Sequence, residues 1–156
     1  MEQAQLAAEN MHTFNPDQRA AFDEIMHAVN NKTGQTFFLH GSGGTGKTYI
    51  YNTLCYQLQS QGKIILCVAS SGIATLLLKG GHTSHSCFQI PVIINESSTC
   101  TIARGSKWAQ LLKQTDLIIW DEALMQHCHL HEAVTQLASK YITLGNKVEI
   151  WGEKYR

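Results

Sequence analysis

Gly41-Ser42-Gly43-Gly44-Thr45-Gly46-Lys47-Thr48 follows the pattern G-x-x-x-x-G-K-[ST], and each residue type in it answers a demand of phosphate chemistry. Glycines admit positive φ and let successive backbone N–H groups turn inward towards anionic oxygens. Lys47 has the reach for the β- and γ-phosphates of a nucleotide, and the Thr48 hydroxyl suits a ligand position on Mg²⁺. A helix starting at Lys47 would point its positive end at the same anion. The candidate cofactor-binding set is Gly41, Gly43, Gly44, Thr45, Gly46, Lys47 and Thr48, and the expected cofactors are ATP and Mg²⁺.

A second group stands far along the chain. Leu117-Ile118-Ile119-Trp120 is an apolar run that ends in Asp121 and Glu122. Acids at the C-terminal end of a parallel strand sit where open α/β sheets bind ligands. Asp121 is the candidate Mg²⁺ ligand beside Thr48, and Glu122 the candidate base for an attacking water. Acids here could also cap a following helix. On the same sheet as a phosphate loop, however, the pair leans towards nucleotide hydrolysis, with Lys47, Asp121 and Glu122 as the catalytic candidates.

The elements that must hold these residues read as alternating strand and helix. Asn15, Pro16 and Gln18 have the types and spacing of an N-cap, an N1 proline and a capping box. Phe22, Ile25, Met26 and Val29 then recur at helical spacing, and Asn30, Asn31 and Gly34 end that helix. Strands are expected at Thr36–His40, Ile64–Ala69, Leu117–Trp120 and Lys147–Trp151. Helices are expected over Lys47–Gln59, Ser71–Leu78, a short stretch capped by Ser106, and roughly Leu130–Lys140. Residues 81–105 read as the longest irregular stretch and residues 1–13 as a flexible lead-in. The class is α/β with a mainly parallel sheet flanked by helices.

Composition narrows the possibilities. The 156 residues suffice for one domain, and Lys plus Arg (12) balance Asp plus Glu (12), which excludes a strongly basic or acidic tail. No apolar run approaches the length of a bilayer span, and the first twenty residues carry no signal-peptide core. Five cysteines at wide spacing fit free thiols in a reducing compartment. His127, Cys128, His129 and His131 cluster without a further ligand group or HExxH, and carry no metal assignment.

Longer blocks now come into view: FNPDQRAAF from Phe14, FFLHGSGGTGKT from Phe37, VASSGIATLLLKGGHTSHSCFQIP from Val68 and LLKQTDLIIWDEALM from Leu111. In this order and spacing the chain resembles the Pif1-like DNA helicases, including the helicase portions of Helitron transposons, over about residues 13–139 and more weakly over 145–156. The resemblance implies a P-loop NTPase fold, with 14–156 as the first RecA-like domain (1A) of a superfamily 1 helicase. That domain would be incomplete at its C-terminus, with the second RecA-like domain and its arginines absent.

The resemblance also implies residue roles. Gln18 falls in a Q motif and would read the adenine edge with its amide; it would equally close the capping box. Ser70, Ser71 and Gly72 match a segment that lies along single-stranded DNA, and Thr83, His85 and Ser86 match the next DNA-facing segment. From the residues alone, Ser70 and Ser71 read more readily as helix caps. Leu124 stands where relatives usually have Pro, and His82 and Cys87 where basic residues are common. GNKVEIWGEKYR resembles GGKVVVFGGDFR of relatives, with Glu153 and Lys154 departing from it. The implied function is 5′→3′ ATP-dependent DNA helicase action in repair, recombination, telomere maintenance or transposition. The implied setting is intracellular and nuclear, with mitochondria as the alternative. The chain is expected to bind nucleotide better than it hydrolyses it. The competing reading is a catalytically silent nucleotide-binding fragment of transposon origin.

Overall fold

Two apolar runs, Ile65–Ala69 and Leu117–Asp121, pair in parallel at the middle of a sheet covered on both faces, which is why they read as nearly continuous hydrophobic stretches. The computed structural model describes residues 1–91, 93, 95–121 and 148–153. In chain order the elements are α1 (Glu2–His12), α2 (Pro16–Asn31), β1 (Thr36–His40), α3 (Lys47–Ser60), β2 (Ile65–Ala69), α4 (Gly72–Thr75), β3 (His82–Thr83), α5 (Ser84–Phe88), α6 (Lys107–Gln114), β4 (Leu117–Asp121) and β5 (Val148–Glu153). The strand order is β1-β5-β4-β2-β3 and every pairing is parallel.

Alternate residues of the central strands enter two cores. Cys67, Ala69, Leu117 and Ile119 join Phe22, Ile25, Leu54 and Leu58 from α2 and α3. Leu66, Val68, Ile118 and Trp120 join Phe88, Ile90 and Leu112 on the opposite face. There the Phe88 and Trp120 ring centroids lie 5.4 Å apart. Each fully buried side chain of this size contributes about 1.5–3 kcal/mol. The sulfurs of Cys55 on α3 and Cys67 on β2 are 3.1 Å apart as free thiols.

Because all strands run the same way, their C-terminal ends share one edge of the sheet. Ala69 is in register with Asp121 on one side and Thr83 on the other. The loop after β1, the acid at the end of β4 and the segments after β2 and β3 therefore open on the same side of the molecule.

The capping box that starts α2 is present: Asn15 Oδ1 accepts from Gln18 N (2.8 Å), and Gln18 Oε1 accepts from Asn15 N (3.1 Å). The helix stops at Asn31, with Lys32 in the left-handed region (φ +51°), ahead of Gly34.

Three expectations need correcting. Residues 1–13 are not a flexible lead-in: Glu2–His12 form α1, packed on α3, with Ala7 wholly buried. Asn10 Nδ2 donates to Thr53 Oγ1 (3.2 Å), and the Thr13 and Tyr49 hydroxyls are 2.8 Å apart. The helix expected over 71–78 ends at Thr75: Ala74 and Leu78 are buried, but Ile73, Leu76 and Leu77 stay exposed, so little apolar surface is covered by continuing the helix. The chain instead folds back so tightly that a Cβ at Gly81 would lie 2.4 Å from the Thr75 carbonyl oxygen. The stretch 81–105 contains β3 and α5, whose N-terminus is capped by Thr83. The helix expected near Leu130–Lys140, and Glu122, Leu124, His127, Cys128, His129 and His131, lie outside the described residues. No helix among the described residues is long and apolar enough to cross a membrane.

Candidate functional site

The loop between β1 and α3 is shaped by its glycines. Gly44 and Gly46 take φ of +83° and +86°, in the left-handed region that favours glycine. A Cβ on Gly46 would also lie 2.4 Å from Gln18 Nε2, and one on Gly41 would lie 2.7 Å from Thr45 Oγ1. The loop is braced internally, with Thr45 Oγ1 donating to the Ser42 carbonyl at 2.8 Å. Gly46 starts α3 without a side-chain cap, whereas Asn15, Ser71, Thr83 and Ser106 cap α2, α4, α5 and α6. The first bond across the start of α3 runs from Ile50 N to Gly46 O (3.1 Å). The helix therefore leaves the amides of Lys47, Thr48 and Tyr49 over for an anion.

Lys47 Nζ donates to the carbonyls of Gly41 and of Ser42, the latter at 3.1 Å. The lysine thus lies along the loop itself, where a phosphate would compete for it.

Asp121 closes the arrangement. It is 7% exposed at the end of β4, and with Lys47, Thr48 and Leu77 it lines a cavity of about 430 Å³ over the glycine loop. Tyr51, one turn into α3, is wholly buried, and its hydroxyl has no hydrogen-bond partner among the described residues. Burial, and then the Asp121 charge, push the Tyr51 phenol well above its ordinary value, so it stays protonated. A second cavity of about 510 Å³ lies between the loop and the start of α2, lined by Asn15, Gln18, Leu39 and Lys47. The two share the loop, so phosphates over the glycines would leave a base or sugar room beside α2.

The donor set fits the expected cofactors. Lys47 and the leftover amides suit a polyphosphate. Thr48 and Asp121 both line the smaller cavity and carry the hard oxygens that suit Mg²⁺, with remaining positions left to water and phosphate.

Gln18 is placed differently from the simplest expectation. Its Oε1 closes the capping box, and its Nε2 donates to the Thr45 carbonyl at 3.0 Å. Both ends of the amide are engaged by the protein, which makes Gln18 a strut between α2 and the phosphate loop as well as a wall of the second cavity.

The candidate DNA residues gather at the other end of the same sheet edge, beyond β2 and β3. Ser71 Oγ accepts from Ala74 N (3.2 Å) and Thr83 Oγ1 from Ser86 N (3.2 Å), so both hydroxyls cap helices. Ser71, Gly72 and Ser86 are exposed, and Ser70, Thr83 and His85 half-buried. One residue that sequence reasoning missed stands between the two groups. Asn52 on α3 donates from Nδ2 to the Leu77 carbonyl (3.0 Å) and accepts at Oδ1 from Lys79 N (2.9 Å). The one available signal was a polar residue amid the apolar positions of that helix.

Parallel sheet, glycine loop, uncapped helix and strand-end acid together define a P-loop nucleotide-binding domain of the RecA-like kind. The chain belongs to the PIF1-like helicase family, whose profile matches residues 13–153. It is 35% identical over 100 residues to the ATP-dependent DNA helicase PIF4 of Trypanosoma brucei brucei, covering 60% of this chain and 12% of that protein. It is 33% identical over 129 residues to the ATP-dependent DNA helicase Pif1 of Bdellovibrio bacteriovorus, covering 79% and 27%. Among solved structures, Bacteroides Pif1 bound to single-stranded DNA superposes with a TM-score of 0.64 at 25% identity, over 84% of this chain and 31% of that one. The Pif1 helicase of Candida albicans (TM-score 0.66, 21% identity, 89% and 32% covered) shares the fold. The chain spans under a third of the length of these curated relatives.

Proposed function

We propose that the chain is the first motor domain (1A) of an ATP-dependent DNA helicase, binding Mg-ATP at the glycine loop and single-stranded DNA along the edge beyond β2 and β3. The observation that carries this reading is that Asp121 and Thr48 line one cavity with Lys47. Relatives named ATP-dependent DNA helicases support it, as does a Bacteroides Pif1 structure in complex with ADP-AlF3 and single-stranded DNA, 26% identical to this chain.

In this reading Lys47 exchanges two neutral carbonyls for phosphate oxygens, a stronger charge-assisted contact. The amides of Lys47, Thr48 and Tyr49 hold the same oxygens. Thr48 and Asp121 would hold Mg²⁺, which when bound would neutralise phosphate charge. Glu122, next in the chain, takes the proton of the water that attacks the γ-phosphorus, and the bond to the β–γ bridging oxygen breaks. Ser70, Ser71, Gly72, Thr83, His85 and Ser86 offer small hydroxyls, an imidazole and backbone amides to a DNA backbone, a grip without base preference. The expected polarity is 5′→3′, and the expected settings are DNA repair, recombination, telomere maintenance or transposition in the nucleus or mitochondria.

The test is nucleotide binding and turnover in the wild-type chain and in Lys47→Ala, with and without oligo-dT. The reading expects nucleotide binding in the wild type and its loss in the variant, with slow turnover that rises with DNA. Binding with no turnover under any condition would favour the silent-fragment alternative. Equal binding in both proteins would overturn the site.

A further inference from the structure

The backbone of the turn that joins α4 to β3 is hydrogen-bonded to the phosphate helix through one side chain, Asn52. Asn52 stands four residues after Thr48 on α3, and its amide grips the turn twice, at the Leu77 carbonyl (3.0 Å) and at the Lys79 N–H (2.9 Å). Donor and acceptor needs on the two sides fix which way the amide points. Both partners are backbone groups, so the grip acts on the path of the chain.

The clasped turn is held at further points. Leu78 is buried in the core. Gly81 N donates to the Leu78 carbonyl (3.1 Å), and a Cβ at Gly81 would collide with the Thr75 carbonyl. The Lys79 ammonium lies 4.0 Å over the Tyr56 ring, four residues beyond Asn52 on the same helix, and donates to Gln3 Oε1 of α1 (2.8 Å).

Each end of this unit touches one of the two binding regions. At one end Leu77 lines the cavity shared by Lys47, Thr48 and Asp121. At the other, the turn runs directly into His82–Thr83, which pairs with β2, and Thr83 caps the helix that carries His85 and Ser86.

We infer that Asn52 is a positioning residue that couples nucleotide occupancy to the grip on single-stranded DNA, by making α3 and the 77–83 segment move as one body. The inference rests on the function proposed above and adds to it the residue through which the two sites communicate. A shift of α3 on phosphate binding passes through the two hydrogen bonds of the Asn52 side-chain amide to the backbone at Leu77 and Lys79, and along the chain from there to Thr83. Without Asn52 the Lys79 N–H loses its acceptor, and the turn is held only by the side chains of Lys79 and Leu78.

Coupling is read as a ratio, the affinity for a fluorescent oligo-dT with a non-hydrolysable Mg-ATP analogue divided by that without it. The ratio in the wild-type chain is expected to depart from one by about fivefold or more, the low end of usual allosteric coupling. In Asn52→Ala it is expected to collapse towards one, while the analogue's own affinity and the nucleotide-free DNA affinity each stay within about twofold. A role in stability alone would lower the melting temperature and leave the ratio unchanged. Asn52→Asp keeps the acceptor for Lys79 N and loses the donor to Leu77, so its ratio should fall in between. Should Asn52→Ala not fold, Asn52→Asp decides alone: a reduced ratio supports the inference and a wild-type ratio overturns it. A folded Asn52→Ala with the wild-type ratio overturns it, as does a wild-type chain that binds both ligands with a ratio of one. A wild-type chain that binds neither ligand refutes the functional reading beneath it.

Discussion

Gln18 and Thr45 are joined by a hydrogen bond of 3.0 Å, from the Gln18 amide nitrogen to the Thr45 carbonyl. Through it the first turn of α2 supports the phosphate loop from outside. Gly46 must be glycine partly because of the same contact, since a Cβ there would strike Gln18 Nε2. The residue that resemblance assigns to adenine recognition is therefore also a structural member of the loop.

Gln18→Ala should weaken nucleotide binding through the loop. A typical intramolecular hydrogen bond is worth about 0.5–1.5 kcal/mol and this one is exposed, so affinity should fall roughly two- to threefold, towards the low end of that range. Because the amide acts on Thr45, ATP and GTP analogues should weaken together. A loss confined to ATP would instead assign the side chain mainly to the base, and calorimetric titration with both analogues distinguishes the two.

Ala7 of α1 is completely buried against the rest of the fold. Ala7→Arg forces a long charged side chain into that contact. It should destabilise the chain by about 1–3 kcal/mol or more, seen as a lower urea midpoint. An unchanged midpoint would mean that residues 2–12 add nothing to the folded domain.

Alkaline pH should weaken the fold through its thiols. Burial pushes Cys87 up to about 12 and Cys100 up to about 11, against about 8.5 for a free thiol. Each folded value lies above the unfolded one, so above pH ~8.5 the native state holds more protons than the unfolded state. Stability is then complete below pH ~8.5 and falls as pH rises towards 12, by up to about 1.4 kcal/mol per unit for the buried Cys87 thiol, with a smaller share from the partly exposed, solvent-screened Cys100. Denaturant titrations at pH 7.5 and 10 should show this decline, and Cys87→Ala should flatten it. An equal decline in the variant would place its cause elsewhere.

What the sequence disclosed, and what it hid, follows the range of the interactions. The glycine loop, the capping box of Asn15 and Gln18, and the apolar strand ending at Asp121 depend on neighbours a few residues apart, and all three were legible. Helix α1 was hidden because its Gln- and Ala-rich sequence has only a weak apolar stripe, and its order comes from docking on α3, some forty residues away. Helix α5 was hidden because Ser84–Phe88 spans barely one turn, held by the Thr83 cap and by Phe88 packing on Trp120. The Asn52 clasp joins residues 25 and 27 positions apart, and no spacing rule reports such a pair.

The central claim is that Asp121 and Thr48 hold the magnesium of a nucleotide lying over Lys47. It is tested most directly by titrating a non-hydrolysable ATP analogue into wild type and Asp121→Asn, each with Mg²⁺ and with EDTA. The wild type should bind at least tenfold more tightly with Mg²⁺, about 1.4 kcal/mol, and Asp121→Asn should lose most of that difference while keeping its affinity in EDTA. An undiminished magnesium effect in the variant, or no magnesium effect in the wild type, would contradict the account.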